Sequence, residues 1–104
     1  MTTIRLYCQQ GATTKMLLTK MVSYAKSKGY ECDIDAFPTA LIADSVTKAD
    51  VILLAPQVRF KSDSLKKEYP NKIVMTVEPM EYGMMEADKI VEKIMKAAKE
   101  KGVN

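Results

Sequence analysis

Cys8, near the start of the chain, opens a segment of residues 8–14 whose composition suits the binding of an anion. Gly11 permits backbone angles that turn successive N–H groups to one side, and such a concave set of donors binds phosphate. Thr13 and Thr14 add hydroxyl donors, and a helix that starts here points its positive end at the same place. These surroundings favour the thiolate, which is the nucleophilic form of cysteine. We therefore predict that Cys8 is the catalytic residue and that phosphate is bound by Gln9, Gln10, Gly11, Ala12, Thr13 and Thr14.

Two other interpretations of Cys8 stay open at this point. Cysteine is often a small buried residue, so Cys8 could simply end a strand. Small tyrosine phosphatases also place a cysteine after the first strand, but there an arginine follows it, after five intervening residues, and clamps the phosphoryl oxygens. Thr14 holds that position here, and the arginines of the chain, Arg5 and Arg59, lie elsewhere. A hydrolase is therefore the weaker interpretation, although the pair Glu78 and Pro79 could mimic its acid loop.

The second cysteine, Cys32, is interpreted as a packing residue. It lies in the middle of a predicted strand on the apolar side, without the glycine and helix start that follow Cys8. The two cysteines form no CxxC pair, and the sequence shows no signal peptide. Together these features favour the reducing cytoplasm over secretion, so we expect a cytoplasmic protein.

The composition argues against several classes of function. Histidine is absent, which removes Ser-His-Asp and Cys-His triads and nearly all common zinc sites, so we expect neither a metal nor a cofactor. The net charge of +3 is mild, tryptophan is absent and basic residues do not interleave with aromatic ones, so we expect no nucleic-acid partner. The longest apolar runs are only a few residues and cannot span a bilayer.

The hydrophobic pattern alternates between strand-like and helical segments. The predicted strands are residues 3–7, 30–36, 51–55 and 72–77, and a helical pattern follows each of them, the last from about residue 84. The third run has no polar face, as expected of a central parallel strand that is covered on both sides. We therefore predict an α/β fold in one domain, residues 1–104, with an open four-stranded parallel sheet and helices on both faces. Ligands bind such sheets beyond the carboxyl ends of the strands, where Cys8 should lie.

Three segments carry a resemblance to a known family. They are the loop of residues 8–14, the stretch ADVILLAPQVRF of residues 49–60, and the pair Tyr82 and Gly83. In element order, over essentially the whole chain, the sequence resembles the IIB component of the lactose/cellobiose/chitobiose class of the bacterial sugar phosphotransferase system (PTS). The resemblance implies a four-stranded parallel sheet like that of the small tyrosine phosphatases.

The resemblance also implies a role. A IIA protein that carries a phosphohistidine would give its phosphoryl group to Cys8, and the phosphocysteine would then phosphorylate a sugar held by the membrane permease IIC. The sugar expected is a β-linked disaccharide such as cellobiose, chitobiose or lactose. Gln57 and Tyr82 should reach toward the loop and hydrogen-bond the phosphoryl oxygens, or else cap a turn and pack on the loop.

The chain itself is expected to be monomeric, with no segment in the membrane. A small thiol-dependent phosphatase that uses a Cys8 thiophosphate and a flavodoxin-like binding module are the alternatives to a PTS component.

Overall fold

Four short apolar segments form one parallel sheet. The computed structural model describes residues 1–9 and 12–102. The strands within this part are β1 (Thr2–Cys8), β2 (Cys32–Pro38), β3 (Val51–Leu54) and β4 (Ile73–Thr76). Their order across the sheet is β2-β1-β3-β4, and each neighbouring pair is parallel. Every residue of β3 is buried, which explains why its sequence has no polar face. The predicted strands are confirmed, with ends that differ by one or two residues.

Helices connect the strands. They are α1 (Ala12–Ser27), α2 (Ile42–Ser45), α3 (Ser62–Glu68), α4 (Pro79–Gly83) and α5 (Ala87–Glu100), with 3-10 turns at Thr39–Leu41, Val46–Lys48 and Pro56–Lys61. None of the helices in the described part of the chain is long and apolar enough to cross a membrane.

The core consists of two apolar clusters, one on each face of the sheet. The first joins α1 and α5 to the sheet, and its buried members include Leu6, Leu17, Met21, Leu53, Val91 and Ile94. The second lies under α3 and the turns next to β3, and it includes Tyr7, Val46, Ile52, Leu54, Val58 and Leu65. Successive side chains of a strand point to opposite faces, so β3 contributes to both clusters. The predicted α/β fold with helices on both faces is therefore confirmed.

The last part of the chain differs from the predicted single helix that starts at about residue 84. Two helices, α4 and α5, occupy this region. α4 begins at Pro79, whose missing N–H and fixed φ suit the first position of a helix. Between the two helices Met85 has a φ of 50°, which interrupts the helical backbone. Apolar spacing predicted the start of α5 too early, because Met84 and Met85 fit an apolar helix face as well as a turn, and it did not reveal α4, which has only five residues.

Candidate functional site

The carboxyl ends of the parallel strands meet at one edge of the sheet, and this edge holds the candidate site. Backbone hydrogen bonds continue past the strand ends here. The N–H of Ala55 donates to the carbonyl of Tyr7 over 3.0 Å, and the N–H of Val77 donates to the carbonyl of Leu54 over 2.9 Å. The connections that follow β1, β3 and β4 therefore begin side by side, and they carry the residues that the sequence singled out.

Cys8 is the last residue of β1 and lies opposite Pro38 of β2 in the strand register. Only 3% of its surface is exposed, and it belongs to the same apolar cluster as Leu54 and Val58. Such burial agrees with the packing interpretation of Cys8, and it also agrees with a nucleophile that is shielded from water. The thiol thus ends the strand at the edge where ligands bind such sheets.

The loop after Cys8 leads directly into α1. Gln9 is exposed, and α1 begins at Ala12. The unpaired N–H groups and the positive end of α1 therefore lie close to Cys8 along the chain. The predicted roles of Gln10 and Gly11, and of the side chains of Ala12 and Thr13, fall outside the described residues.

Thr14 and Tyr82 form a hydrogen bond that joins the first turn of α1 to α4. The Thr14 Oγ1 and the Tyr82 hydroxyl lie 2.6 Å apart, and either oxygen can be the donor. Thr14 is 4% exposed, and Tyr82 packs against both apolar clusters. The structure thus brings together two predicted site residues that lie far apart in the sequence. Gln57, the other supporting residue, is exposed on the 3-10 turn after β3, and its role stays a prediction.

Glu81 lies in α4, next to the candidate site, and its role was not predicted from the sequence. It is buried in α4, where its carboxylate accepts the N–H of Glu78 and also a hydrogen bond from Lys93 of α5. The side chain of Glu78 accepts the N–H of Glu81 in return, which completes a capping box. The spacing of the two glutamates around Pro79 was the signal that could have revealed this helix start.

Arg5 and Glu78, two groups that a phosphatase could use, interact with other residues. Arg5 forms an ion pair with Asp33 over 3.2 Å and lies over the ring of Phe37. The Glu78 side chain caps α4, as described above, so it is not poised as an acid at the site.

Cys32 has the environment of a packing residue. It begins β2, packs against the first apolar cluster and is a free thiol, as is Cys8. Burial, with a smaller contribution from Asp33, raises the pKa of the Cys32 thiol. A raised pKa leaves less thiolate at neutral pH, which disfavours nucleophilic chemistry at this residue.

Comparison with known proteins decides the family. The model of the lactose/cellobiose-specific IIB subunit of the PTS matches residues 3–93, a range that spans the whole edge described above. The chain belongs to this PTS IIB family. It is therefore a IIB component of a sugar uptake system and one part of a sugar phosphotransferase, and IIB components of this system work with IIA and IIC partners.

Individual relatives agree with this assignment. The chain is 36% identical over 94 residues to the oligo-β-mannoside-specific EIIB component of Bacillus subtilis, which covers 88% of this chain and 91% of the relative. It is 38% identical over 95 residues to the cellobiose-specific EIIB component of Lactococcus lactis, covering 85% of this chain and 88% of the relative.

Solved IIB structures share the fold. The solution structure of the cellobiose-specific IIB component from Borrelia burgdorferi superposes with a TM-score of 0.78 at 31% identity, covering 96% of this chain and 94% of that one. The lactose-specific IIB domain from Streptococcus pneumoniae gives a TM-score of 0.81 at 18% identity, covering 91% of this chain and 95% of that one. The second likeness concerns the fold alone.

Proposed function

We propose that Cys8 of this IIB component accepts a phosphoryl group from a phosphohistidine of a IIA protein and passes it to a sugar at a IIC permease. In the first transfer the Cys8 thiolate attacks phosphorus, an S–P bond forms, and the histidine N–P bond breaks with its electron pair kept by the imidazole. In the second transfer a sugar hydroxyl attacks the same phosphorus and the electron pair returns to Sγ. The hydroxyl proton passes to a base that the permease supplies.

The observation that carries this proposal is the position of Cys8 at the end of β1, shortly before α1 begins at Ala12, in an apolar cluster against which Tyr82, the hydrogen-bond partner of Thr14, also packs. When two hydroxyls form one hydrogen bond with each other, one of their two protons makes that bond and the other proton can be donated to a third group. That second proton can be donated to a phosphoryl oxygen on Cys8, and a fixed donor of this kind stabilises the charge that develops during transfer.

The same site favours a carrier over a hydrolase. Thr14 stands where a phosphatase has its arginine, and Arg5 is paired with Asp33. Cys8 is 3% exposed, so little of it meets bulk water. A thiophosphate at this position would therefore persist until a partner protein presents an acceptor.

The sugar is proposed from the relatives. Proteins named for oligo-β-mannoside, galactose and cellobiose are among them. We therefore propose a β-linked disaccharide, with cellobiose, chitobiose and lactose as the sugars to test first. We also propose that residues 1–104 act as one monomeric IIB domain in the cytoplasm.

The test compares two cysteine variants in a phosphorylation assay. Wild-type protein, Cys8→Ser and Cys32→Ser are incubated with a phosphorylated IIA protein, and intact mass spectrometry measures the added phosphoryl group. We expect one phosphoryl group on the wild type and on Cys32→Ser, and none on Cys8→Ser, because serine lacks the nucleophilic sulfur. Cys32→Ser is the matched control, since it removes the other thiol. Equal labelling of both variants, or loss of labelling in Cys32→Ser alone, would overturn the proposal.

A further inference from the structure

Glu81 is a charged residue whose side chain is almost fully buried. It is 7% exposed and lies in α4, the five-residue helix that follows β4. Its Oε1 accepts the N–H of Glu78 over 3.3 Å, and its Oε2 accepts a hydrogen bond from the Lys93 ammonium of α5 over 2.5 Å. One carboxylate therefore fastens the start of α4 and, at the same time, ties that helix to α5.

A helix as short as α4 depends on such attachments. Isolated helices of this length are not stable, because the first turn fixes several residues for very few hydrogen bonds. Burying the carboxylate removes it from water, which is costly, and pairing with Lys93 offsets that cost without adding much stability over an apolar residue. The pair therefore contributes mainly to geometry and not to stability, because two oxygens of one side chain fix the orientation of α4.

Tyr82, the next residue of α4, converts this orientation into a contact at the site. Its hydroxyl lies 2.6 Å from Thr14 Oγ1 in the first turn of α1, which starts shortly after Cys8. A hydrogen bond of this length tolerates little displacement of either oxygen. Any rotation of α4 about its axis would move the tyrosine hydroxyl away from Thr14.

We infer that Glu81 is a positioning residue for phosphoryl transfer: anchored by Lys93, it holds α4 so that the Tyr82 hydroxyl stays on Thr14 and one hydroxyl proton of that pair faces the anion on Cys8. This inference rests on the proposed function of Cys8. Glu81 itself does not touch the phosphoryl group, and its effect passes through Tyr82.

The first arm of the test is a double-mutant cycle on the rate of Cys8 phosphorylation by a phosphorylated IIA protein. We expect Tyr82→Phe to slow transfer about tenfold, because a hydrogen bond to a charged group is lost. Glu81→Ala should slow transfer by a similar factor, of about five to ten, and the double variant should be no slower than Tyr82→Phe alone. Glu81→Gln keeps an acceptor for the cap but loses the charge that faces Lys93, so its rate should lie between those of Glu81→Ala and the wild type. It also serves as the test if Glu81→Ala does not fold.

The matched control is Glu86→Ala. Glu86 also pairs with a lysine of α5, Lys89, over 2.9 Å, but the Glu86 side chain is 24% exposed, against 9% for that of Glu81, and the pair does not involve α4. Loss of this pair should leave the transfer rate within about twofold of the wild type, since exposed ion pairs contribute little. A rate loss in Glu86→Ala equal to that in Glu81→Ala would overturn the inference.

The second arm reads the Tyr82–Thr14 contact without any transfer reaction. The NMR signal of the Tyr82 ring carbon that bears the hydroxyl is recorded in the wild type, in Glu81→Gln and in Thr14→Val, where the hydrogen bond is absent. We expect the Glu81→Gln signal to move from the wild-type position toward the Thr14→Val position. An unmoved signal, or a double variant whose rate losses multiply, would refute the positioning role. If the wild type is not phosphorylated on Cys8 at all, the proposed function fails, whatever the NMR signal shows.

Discussion

At the scale of single residues, the two cysteines differ in where they lie in the fold and in what surrounds them. Cys8 ends β1 just before the N-terminus of α1, whereas Cys32 begins β2 beside Asp33. Burial and the neighbouring carboxylate raise the pKa of Cys32, since both disfavour a second negative charge at that place. A residue of this kind is a poor nucleophile, which agrees with our proposal that Cys8, and not Cys32, accepts the phosphoryl group.

The raised pKa of Cys32 predicts slow alkylation at neutral pH. In the Cys8→Ser variant, where Cys32 is the remaining cysteine, the rate with iodoacetamide should be lower than that of a free cysteine peptide at pH 7. The rate should keep rising with pH beyond 9.0, the ordinary pKa of the thiol, because the thiolate forms later than usual. The measurement is the alkylation rate against pH with the peptide as control, and a profile equal to that of the peptide would contradict the prediction.

At the scale of the elements, α1 ends in a turn that only its glycine makes easy. The N–H of Gly29 donates to the carbonyl of Lys26 over 3.1 Å, and the N–H of Tyr30 donates to the carbonyl of Ala25 over 3.0 Å. These two bonds define a Schellman motif, and Gly29 has the positive φ of 74° that the motif requires. The motif turns the chain from α1 back toward β2.

Gly29→Ala should lower the free energy of unfolding by about 1 kcal/mol, because a Cβ is strained at a positive φ. No atom lies within 4 Å of the site where that Cβ would stand, so the loss would come from the backbone conformation and not from a clash. Gly83→Ala is the matched control: Gly83 has equally open surroundings, and its φ is not positive. Urea unfolding of both variants measures the difference, and equal stabilities would refute the explanation.

A second link between elements is the carboxylate of Glu92 on α5. It accepts a hydrogen bond from the hydroxyl of Tyr24 on α1 over 2.5 Å and from that of Tyr30 over 2.8 Å. These bonds lower the pKa of Glu92 and raise that of Tyr30, and they raise the pKa of Tyr24 to about 12. One carboxylate on α5 thus binds both the end of α1 and the turn that follows it.

The Glu92 cluster predicts a loss of stability at both extremes of pH. The contribution of Tyr24 is present below the ordinary tyrosine pKa of 10.0 and is lost as the pH rises through about 12. The contribution of Glu92 is present above its ordinary pKa of 4.5 and is lost as the pH falls through its lowered value. Glu92→Gln should bring the titration of Tyr24 and Tyr30 to lower pH, as measured by the ultraviolet absorbance of tyrosinate. An unchanged titration would contradict the link, and Lys96→Gln on the same helix is the control.

At the scale of the whole molecule, exposed apolar side chains gather around the edge that holds Cys8. Phe60, Met80 and Met84 are 72%, 71% and 67% exposed, and they lie on the connections that follow β3 and β4. Exposed apolar groups of this size are common where proteins meet. Because these connections begin at the same edge of the sheet as Cys8, we propose that the apolar rim formed by Phe60, Met80 and Met84 docks the IIA protein.

If this rim docks the IIA protein, its loss should weaken the binding of IIA without slowing the transfer step at Cys8. The double substitution Phe60→Ser and Met80→Ser should raise the KM for phosphorylated IIA about tenfold, because buried apolar contacts at the interface are lost. The value of kcat should stay near that of the wild type, since neither residue has a role in the transfer step at Cys8 in the proposed function. Lys99→Ser, an exposed change at the far end of α5, is the control. A KM equal to that of the control would place the docking surface elsewhere.

How much of the molecule could be predicted depends on whether a feature arises from neighbours in the sequence. The sheet, the burial of β3 and the placement of Cys8 at the carboxyl edge of the sheet follow from local periodicity and turn residues, so the sequence by itself determined them. The helix α4 was not predicted, because five residues are too few to show a helical period, and the start of α5 was predicted too early, because Met84 and Met85 fit a helix face as well as a turn.

Only the tertiary structure decided which distant side chains meet. Thr14 and Tyr82 are 68 positions apart, and so are Tyr24 and Glu92, while Glu81 meets Lys93 across the boundary between two helices. Such contacts depend on how far each connection carries its element and how the elements rotate when their apolar faces pack. Local patterns do not contain that information, since many distant partners fit one polar side chain until the core fixes which of them it meets.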